Sequence, residues 1–136
     1  MRGNAKIDLL RRVPLFSECS KDELQELAVG TDELALRQGD TLTREGDRGR
    51  EFFVLVDGSV DVSKDGGTIA DLGAGDWFGE IALLAGLPRT ATVTAVTPVR
   101  VLVLSSRAFE RSVETMPSIA LKVLASVAER LGDNAR

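Results

Sequence analysis

Glu80 and Arg89 lie near each other in the chain, and their side chains suit a ligand that carries both a phosphate and a hydroxyl group. They belong to FGEIALLAGLPRTATV, residues 78–93, in which IALLA predicts a short helix that Gly86 and Pro88 close. The free backbone amides at a helix start favour an anion, and an arginine offers two parallel donors to phosphate oxygens. A phosphate repels a carboxylate, unless that carboxylate accepts a hydrogen bond from a hydroxyl of the same ligand. The pair therefore predicts a phosphate joined to a sugar with a free hydroxyl.

The same two residues also have an interpretation that needs no ligand. A glutamate at a helix N-terminus is stabilised by the helix dipole, and an arginine nearby is often only its ion-pair partner. Short motifs of this kind also match by accident. The rest of the chain has to decide between a ligand site and a local ion pair.

The composition is that of an ordinary globular domain, with 43% hydrophobic and 28% charged residues, and 136 residues suit a single domain, 1–136. The net charge of −4 argues against a surface for nucleic acid or acidic membrane. The N-terminus MRGNAKIDLLRR lacks the apolar stretch of a secretory signal, and no apolar run is long enough to span a bilayer. We therefore expect a cytoplasmic protein with no direct nucleic-acid or membrane partner.

Two absences argue against catalysis. The chain has no histidine, which is the commonest general base and a frequent zinc and haem ligand. Its single cysteine, Cys19, can form neither an internal disulfide nor an iron–sulfur cluster. The sequence also offers no second acid obviously placed against Glu80. We therefore expect a binding protein, not an enzyme, without a metal or cofactor.

Helical patterns begin and end the chain. Residues 17–30 predict a helix with Ser20 as the N-cap, Glu23 completing a capping box, and Gly30 as the stop. Residues 105–116 and 118–131 predict two more helices, separated by a proline. The apolar residues of the last helix cover more than one stripe, so it should contact its own domain and a second surface. That surface is a ligand pocket, a sister chain or another domain.

The region between Leu34 and Leu104 has short runs of Val, Leu, Phe, Ile and Thr that glycines interrupt. The stretch EFFVLVDGSVDVSKDGGTIADLG illustrates this, because three strand-like runs alternate with a DG turn and a DGG turn. Turns at this spacing are typical of an antiparallel sandwich or barrel. The predicted fold is α+β, an antiparallel, jelly-roll-like β-roll of about eight strands with helices at its ends.

Together these pieces resemble the cyclic nucleotide-binding domain family, which includes catabolite activator protein, kinase A regulatory subunits and nucleotide-gated channels. The similarity runs from about Leu10 to Leu131 and includes the phrases VPLFSECSKDELQELA, GDTLTREGD and FFVLVDGSVDV. FGEIALLAGLPRTATV resembles the phosphate-binding cassette of the family, which favours the ligand site over the local ion pair. The resemblance implies a helical part 8–30, a β-roll 32–104 with the cassette at 78–93, and C-terminal helices within 105–131.

The resemblance also implies which residues bind the phosphate and the sugar of a 3′,5′-cyclic nucleotide. Arg89 pairs with the exocyclic phosphate oxygens, and the backbone amides of Ile81 and Ala82 bind the same phosphate. Gly79 lies close to the sugar, and Glu80 accepts a hydrogen bond from the ribose 2′-hydroxyl. A deoxyribose ligand should therefore bind more weakly.

The remaining residues of the implied site surround the base. Val62 and Leu72 match strand positions that pack against it, and Phe78 begins the cassette. Thr90 matches a threonine of members with cyclic-GMP affinity, whose hydroxyl reaches the guanine amino group. Arg130 matches an arginine on the lid helix that meets the base in channel-type members. A solvated helix end is the alternative for Arg130.

The resemblance implies a cytosolic sensor module that binds a cyclic mononucleotide, with cyclic AMP favoured over cyclic GMP, and that moves its C-terminal lid helix. A homodimer or an effector domain would use the same helix. Two alternatives stay open. One is a structural or protein-interaction domain of the same fold without a ligand, and the other is a truncated transcription regulator without its DNA-binding part.

Overall fold

In the part of the chain that the structure describes, eight antiparallel strands form two four-stranded sheets, and helices lie before and after them. The computed structural model describes residues 2–134, with side chains for residues 5–132. The strands are β1 Thr31–Leu36, β2 Thr41–Thr43, β3 Glu51–Asp57, β4 Val60–Lys64, β5 Gly67–Leu72, β6 Trp77–Phe78, β7 Thr92–Ala95 and β8 Val99–Ser105. The helices are α1 Arg2–Arg12, α2 Lys21–Val29, α3 Glu80–Ala85, α4 Ser106–Thr115 and α5 Pro117–Asn134, with a 3₁₀ turn at Pro14–Phe16.

The strand order is β1-β8-β3-β6 in the first sheet and β2-β7-β4-β5 in the second. The DGG turn joins β4 and β5 as a hairpin, whereas the DG turn carries the chain from β3 in one sheet to β4 in the other. The predicted α+β roll of about eight strands is confirmed. No helix among the described residues combines the length and apolar content that a membrane span requires.

Local sequence signals explain where the helices begin. Ser20 Oγ accepts from the Glu23 amide at 3.1 Å, and the Glu23 carboxylate accepts from the Ser20 amide at 2.8 Å, so the predicted capping box is present. Ser105 caps α4 by accepting from the Ala108 amide at 3.1 Å. Helix α1 has no acidic residue in its first turn. The sequence therefore gives no clear start for α1, which begins at Arg2 in the structure, whereas the predicted helical part begins at residue 8.

Two hydrophobic cores determine where a ligand can bind. The first lies between the helices and the first sheet, where Phe52 of β3 stacks on Phe109 of α4 with ring centroids 4.5 Å apart. The second lies between the two sheets and contains Val62, Phe78 and Val93. Helix α5 packs on the first core through Ile119, Val123 and Val127, while its C-terminal part reaches across to α3. The end of the second core therefore lies beneath α3 and α5.

Candidate ligand-binding site

A cavity of about 340 Å³ is bounded by the second sheet, by α3 and by the C-terminal part of α5. The ten residues that the sequence assigns to a ligand site all line it: Val62, Leu72, Phe78, Gly79, Glu80, Ile81, Ala82, Arg89, Thr90 and Arg130. They come from β4, β5, β6, α3, the loops beside α3, and α5. The fold therefore brings them together, and their contacts with a ligand stay a prediction.

Arg89 lies between α3 and β7 and is only 6% exposed. Its Nη2 donates to the carbonyl oxygen of Glu51 at 2.7 Å, and its Nη1 donates to that of Gly79 at 3.5 Å. The Glu51 carboxylate lies 3.8 Å from Nη2 but is half exposed. Burial lowers the pKa of the Arg89 guanidinium, and the carboxylates of Glu51 and Glu80 oppose that shift. Because an arginine still stays protonated, a fixed cation lies at this wall of the cavity.

Two glycines make room for this guanidinium. A Cβ at Gly49 would lie 1.9 Å from Arg89 Nε, and a Cβ at Gly79 would lie 2.9 Å from Arg89 Nη1. Gly79 also has φ of +103°, in a region that disfavours side chains. Any larger residue at either position would displace the arginine. Gly79 therefore has a structural role. This role is additional to the position close to the sugar that the resemblance implies.

Glu80 is the first residue of α3 and is only 1% exposed. Arg130 Nη1 donates to both of its carboxylate oxygens, and the bond to Oε2 measures 2.8 Å. Burial raises the pKa of the Glu80 carboxyl, while Arg130 and the backbone amides of Glu80 and Ile81 oppose this shift. A carboxylate that is buried this deeply needs its cationic partner.

Arg130 connects α5 to the cassette. In addition to its bonds with Glu80, its Nη2 donates to the carbonyl oxygen of Trp77 at 2.6 Å. Its side chain is 31% exposed, so it is not the solvated helix end that the sequence left open. A contact with a base stays a prediction, because the guanidinium is bonded to the cassette in this structure.

The observed ion pairs test the interpretation that needs no ligand, in which Glu80 and Arg89 form a local ion pair. The Glu80 carboxylate bonds to Arg130, whereas Arg89 bonds to backbone carbonyls and lies beside Glu51. Glu80 and Arg89 therefore line the same cavity without forming a hydrogen bond to each other among the described contacts. A local ion pair does not explain their positions.

Much of the cavity lining that the strands contribute is apolar. Val62 of β4 pairs with Ala70 of β5 and with Val93 of β7, and Leu72 lies further along β5. Phe78 stacks on Phe53 with ring centroids 4.9 Å apart, which fixes the start of the cassette. A flat aromatic group of a ligand would find apolar contacts here.

Six residues that line the cavity were missed by the sequence reasoning: Thr43, Lys64, Ile69, Ala70, Ala91 and Val93. Alternation along the strands could have found some of them, because residues two apart on a strand share a face. Lys64 lies two residues after Val62, and Ala91 two residues before Val93. The register between strands determines which residues of neighbouring strands lie side by side. It cannot be predicted from residues that are close in the sequence.

The β-roll, the short helix and the buried charges define a domain for a small anionic ligand, and comparisons with known proteins name its family. A family model described as the cyclic nucleotide-binding domain matches residues 33–116. The chain belongs to this family, which confirms the resemblance drawn from the sequence.

Three relatives illustrate the similarity. The cAMP-dependent protein kinase regulatory subunit of Debaryomyces hansenii is 41% identical over 105 residues, which cover 76% of this chain and 23% of that protein. The regulatory domain of Toxoplasma gondii PKA, solved with cAMP, has a TM-score of 0.83 at 25% identity, covering 94% of this chain and 50% of that one. The regulatory subunit of a cAMP-independent protein kinase A from Trypanosoma brucei has a TM-score of 0.81 at 27% identity, covering 94% and 47%. The chain thus spans about a quarter of the length of the first relative.

Proposed function

We propose that the chain is a regulatory sensor module that binds a 3′,5′-cyclic nucleotide, prefers cyclic AMP to cyclic GMP, and couples binding to movement of α5. The observation that carries this proposal is the buried guanidinium of Arg89 at the cavity wall. A guanidinium has five N–H donors, and two of those of Arg89 donate to backbone carbonyls within the described structure. A buried cation with further donors favours an anion, and a phosphodiester carries one negative charge.

The second part of the site supports a ribose next to that phosphate. Glu80 follows Gly79 at the start of α3, and its carboxylate lines the same cavity as Arg89. A carboxylate accepts hydrogen bonds and donates none, so it suits a hydroxyl and repels a second phosphate. We infer that Glu80 accepts from the ribose 2′-hydroxyl, that the amides of Ile81 and Ala82 bind the phosphate, and that the apolar strands contact the base.

Movement of α5 is supported by the contact between Arg130 and Glu80. A ribose hydroxyl that bonds to Glu80 must share or replace the bonds that Arg130 makes there. The position of α5 and the occupancy of the site are then linked, and the ligand shifts α5 only by its difference in affinity for the two positions. Helix α5 also exposes Leu121, Leu124 and Leu131, which would suit a second copy of the chain or an effector domain.

A domain of the same fold that binds no ligand is the alternative, because the similar Trypanosoma brucei subunit belongs to a protein kinase A that is described as cAMP-independent. The fold alone therefore does not decide the question. Calorimetric titration of the purified chain with cyclic AMP, cyclic GMP and the open-chain 5′-AMP tests it. We expect both cyclic nucleotides to bind, cyclic AMP the more tightly, and 5′-AMP to bind weakly because its dianionic phosphate and free 3′-hydroxyl do not fit the cassette. Absence of binding by either cyclic nucleotide would favour the ligand-free domain.

A further inference from the structure

The buried guanidinium of Arg89 lies against an aromatic ring. Its Cζ atom is over the ring of Phe53, 5.7 Å from the ring centroid. This distance is within the roughly 6 Å at which the negative face of an aromatic ring attracts a cation. Both side chains are buried, so little water competes with the attraction. The contact is therefore stronger than the same contact would be at the surface.

The ring restricts a motion that the hydrogen bonds of Arg89 leave free. Arg89 donates to the carbonyl oxygens of Glu51 and Gly79, and the N–H groups of a guanidinium lie in its plane. These two bonds hold the edge of the guanidinium but allow its plane to tilt. Phe53 contacts the face instead. Because Glu51 and Phe53 both belong to β3, one strand contacts both the edge and the face of the cation.

The Phe53 ring is itself held firmly. It stacks on the ring of Phe78 with an angle of 12° between the two ring planes. Phe53 also pairs with Phe78 of β6 on one side and with Val103 of β8 on the other, so it lies in an inner strand. Among the described residues, those that line the cavity include Arg89 and Phe78 but not Phe53. Phe53 therefore acts on a ligand only through its neighbours.

We propose that Phe53 is a positioning residue for the phosphate, because its ring holds the Arg89 guanidinium at the tilt in which the remaining N–H groups point into the cavity. The inference rests on the proposed function, since the phosphate is that of a cyclic nucleotide. A cation that is already oriented does not have to be ordered when the ligand enters, and this raises affinity. All cyclic nucleotides share the phosphate, so the contact should leave the preference between bases unchanged.

Fluorination of the ring separates its electrostatic role from its role in packing. Fluorine withdraws electrons and makes the face of the ring less negative, while the ring keeps nearly the same shape. We suggest introducing phenylalanine analogues with increasing numbers of ring fluorines at position 53 and titrating each protein with cyclic AMP and cyclic GMP. Affinity should fall with each added fluorine, to about tenfold below the wild type for the most fluorinated ring. The loss should be the same for both nucleotides.

The same analogues at position 109 are the matched control. Phe109 is also a buried ring, but it stacks on Phe52 in the first core, so fluorination there should leave both affinities unchanged. Constant affinity across the series at position 53 would overturn the inference, because the Phe53 ring would then only fill space. A loss that differs between cyclic AMP and cyclic GMP would overturn it as well, because Phe53 would then act on the base through Phe78.

An NMR measurement tests the contact without a ligand. A proton above the face of an aromatic ring is shifted upfield, so the Nε–H signal of Arg89 should lie upfield in the wild type and return towards its ordinary position in Phe53→Leu. An ordinary position in the wild type would overturn the inference. A wild type that shows the upfield signal and binds neither cyclic nucleotide would refute the proposed function, and with it the role in phosphate binding, but not the contact between Phe53 and Arg89.

Discussion

The two arginines of the cavity are held in different ways. Arg89, on the wall built by the sheets and the cassette, donates to the carbonyl oxygens of Glu51 and Gly79, so its position is fixed by backbone. Arg130, near the end of α5, is held by the side chain of Glu80 and by one carbonyl. A guanidinium fixed by carbonyls keeps most of its charge available for an anion, whereas one paired with a carboxylate does not.

This difference suggests a division of roles. The wall around Arg89 belongs to the β-roll and should change little when a ligand enters. The contact of Arg130 depends on a carboxylate that the ligand also needs, and α5 follows α4 after a single residue at Met116. We therefore expect Arg89 to determine affinity, and Arg130 to determine the stability and position of α5.

The largest expected effect is the loss of affinity in Arg89→Ala. Truncation of one side of a buried, hydrogen-bonded charge pair should weaken cyclic nucleotide binding by roughly 2 to 5 kcal/mol. Arg89→Lys keeps the charge but loses the two parallel donors, so its affinity should be intermediate. Calorimetric titration measures both. The control is Arg100→Ala, which removes a partly exposed arginine of β8 that pairs with Glu33 and Asp57 and does not line the cavity. Without ligand, the free energy of unfolding of Arg89→Ala should change by less than about 1.5 kcal/mol, the size of one net hydrogen bond.

A smaller effect is expected when the carboxylate is removed. Glu80→Ala should weaken ribonucleotide binding by roughly 1.5 to 3 kcal/mol, the range for a hydrogen bond to a charged group. The 2′-deoxy analogue of cyclic AMP lacks the hydroxyl, so its affinity should be nearly the same for wild type and variant. Glu80→Ala also leaves Arg130 without its carboxylate partner, which should affect the binding of both ligands equally. The difference between the two ligands therefore reports the hydrogen bond to the 2′-hydroxyl alone. If the wild type binds ribose and deoxyribose ligands equally well, Glu80 does not bind the ribose.

Arg130→Ala should affect the ligand-free protein most. It leaves the buried Glu80 carboxylate without its cation, which should lower the free energy of unfolding by about 1 to 3 kcal/mol, less than for a fully buried pair because Arg130 is partly exposed. In a Glu80→Gln background the same substitution should cost less, and a double-mutant cycle in urea measures that coupling. Additive effects of the two changes would mean that the ion pair contributes nothing to the folded state.

Local signals made much of the fold predictable. The capping box at Ser20 and Glu23, the DGG hairpin and the short helix closed by Gly86 all depend on residues within a few positions of one another. The residues predicted from the cassette also line one cavity, because a six-residue helix leaves Glu80 and Arg89 little freedom to separate.

The contacts that set the chemistry of the site were not predictable in the same way. Arg130 and Glu80 are 50 positions apart, and Arg89 and Glu51 are 38 apart. The periodicity of α5 indicates that it contacts more than one surface, but periodicity does not specify which group lies opposite a given residue. Lys64 shares a strand face with Val62, which alternation could have shown, but only the pairing of β4 with β5 and β7 places that face at the cavity.

The smallest expected effect is the pH dependence of stability that the titration of Glu80 causes. It also tests the contact between Glu80 and Arg130. Burial raises the pKa of this carboxyl above its usual 4.5, so the folded chain binds the proton more tightly than the unfolded chain does. As the pH rises from the pKa of Glu80 in the unfolded chain through its raised pKa in the folded chain, the folded state loses this advantage. The free energy of unfolding therefore falls. Other carboxylates titrate as well, so the useful quantity is the difference between wild type and Glu80→Gln, measured by urea denaturation from about pH 4 to about pH 8. Stability of the wild type relative to Glu80→Gln should be highest at the acid end and should fall with rising pH.

Arg130 opposes this shift, because its charge stabilises the ionised carboxylate. In an Arg130→Ala background the raised pKa should rise further, so the same decline in relative stability should extend to higher pH. Lys122→Met on the same helix serves as the control, since Lys122 donates to the Pro14 carbonyl at 2.7 Å and pairs with Glu18, away from the cassette. A relative stability of the wild type that is independent of pH would mean that Arg130 and the backbone amides fully offset the effect of burial. If the decline in Arg130→Ala covered the same pH range as in the wild type, Arg130 would be a neighbour of the cassette carboxylate and not the group that keeps it charged.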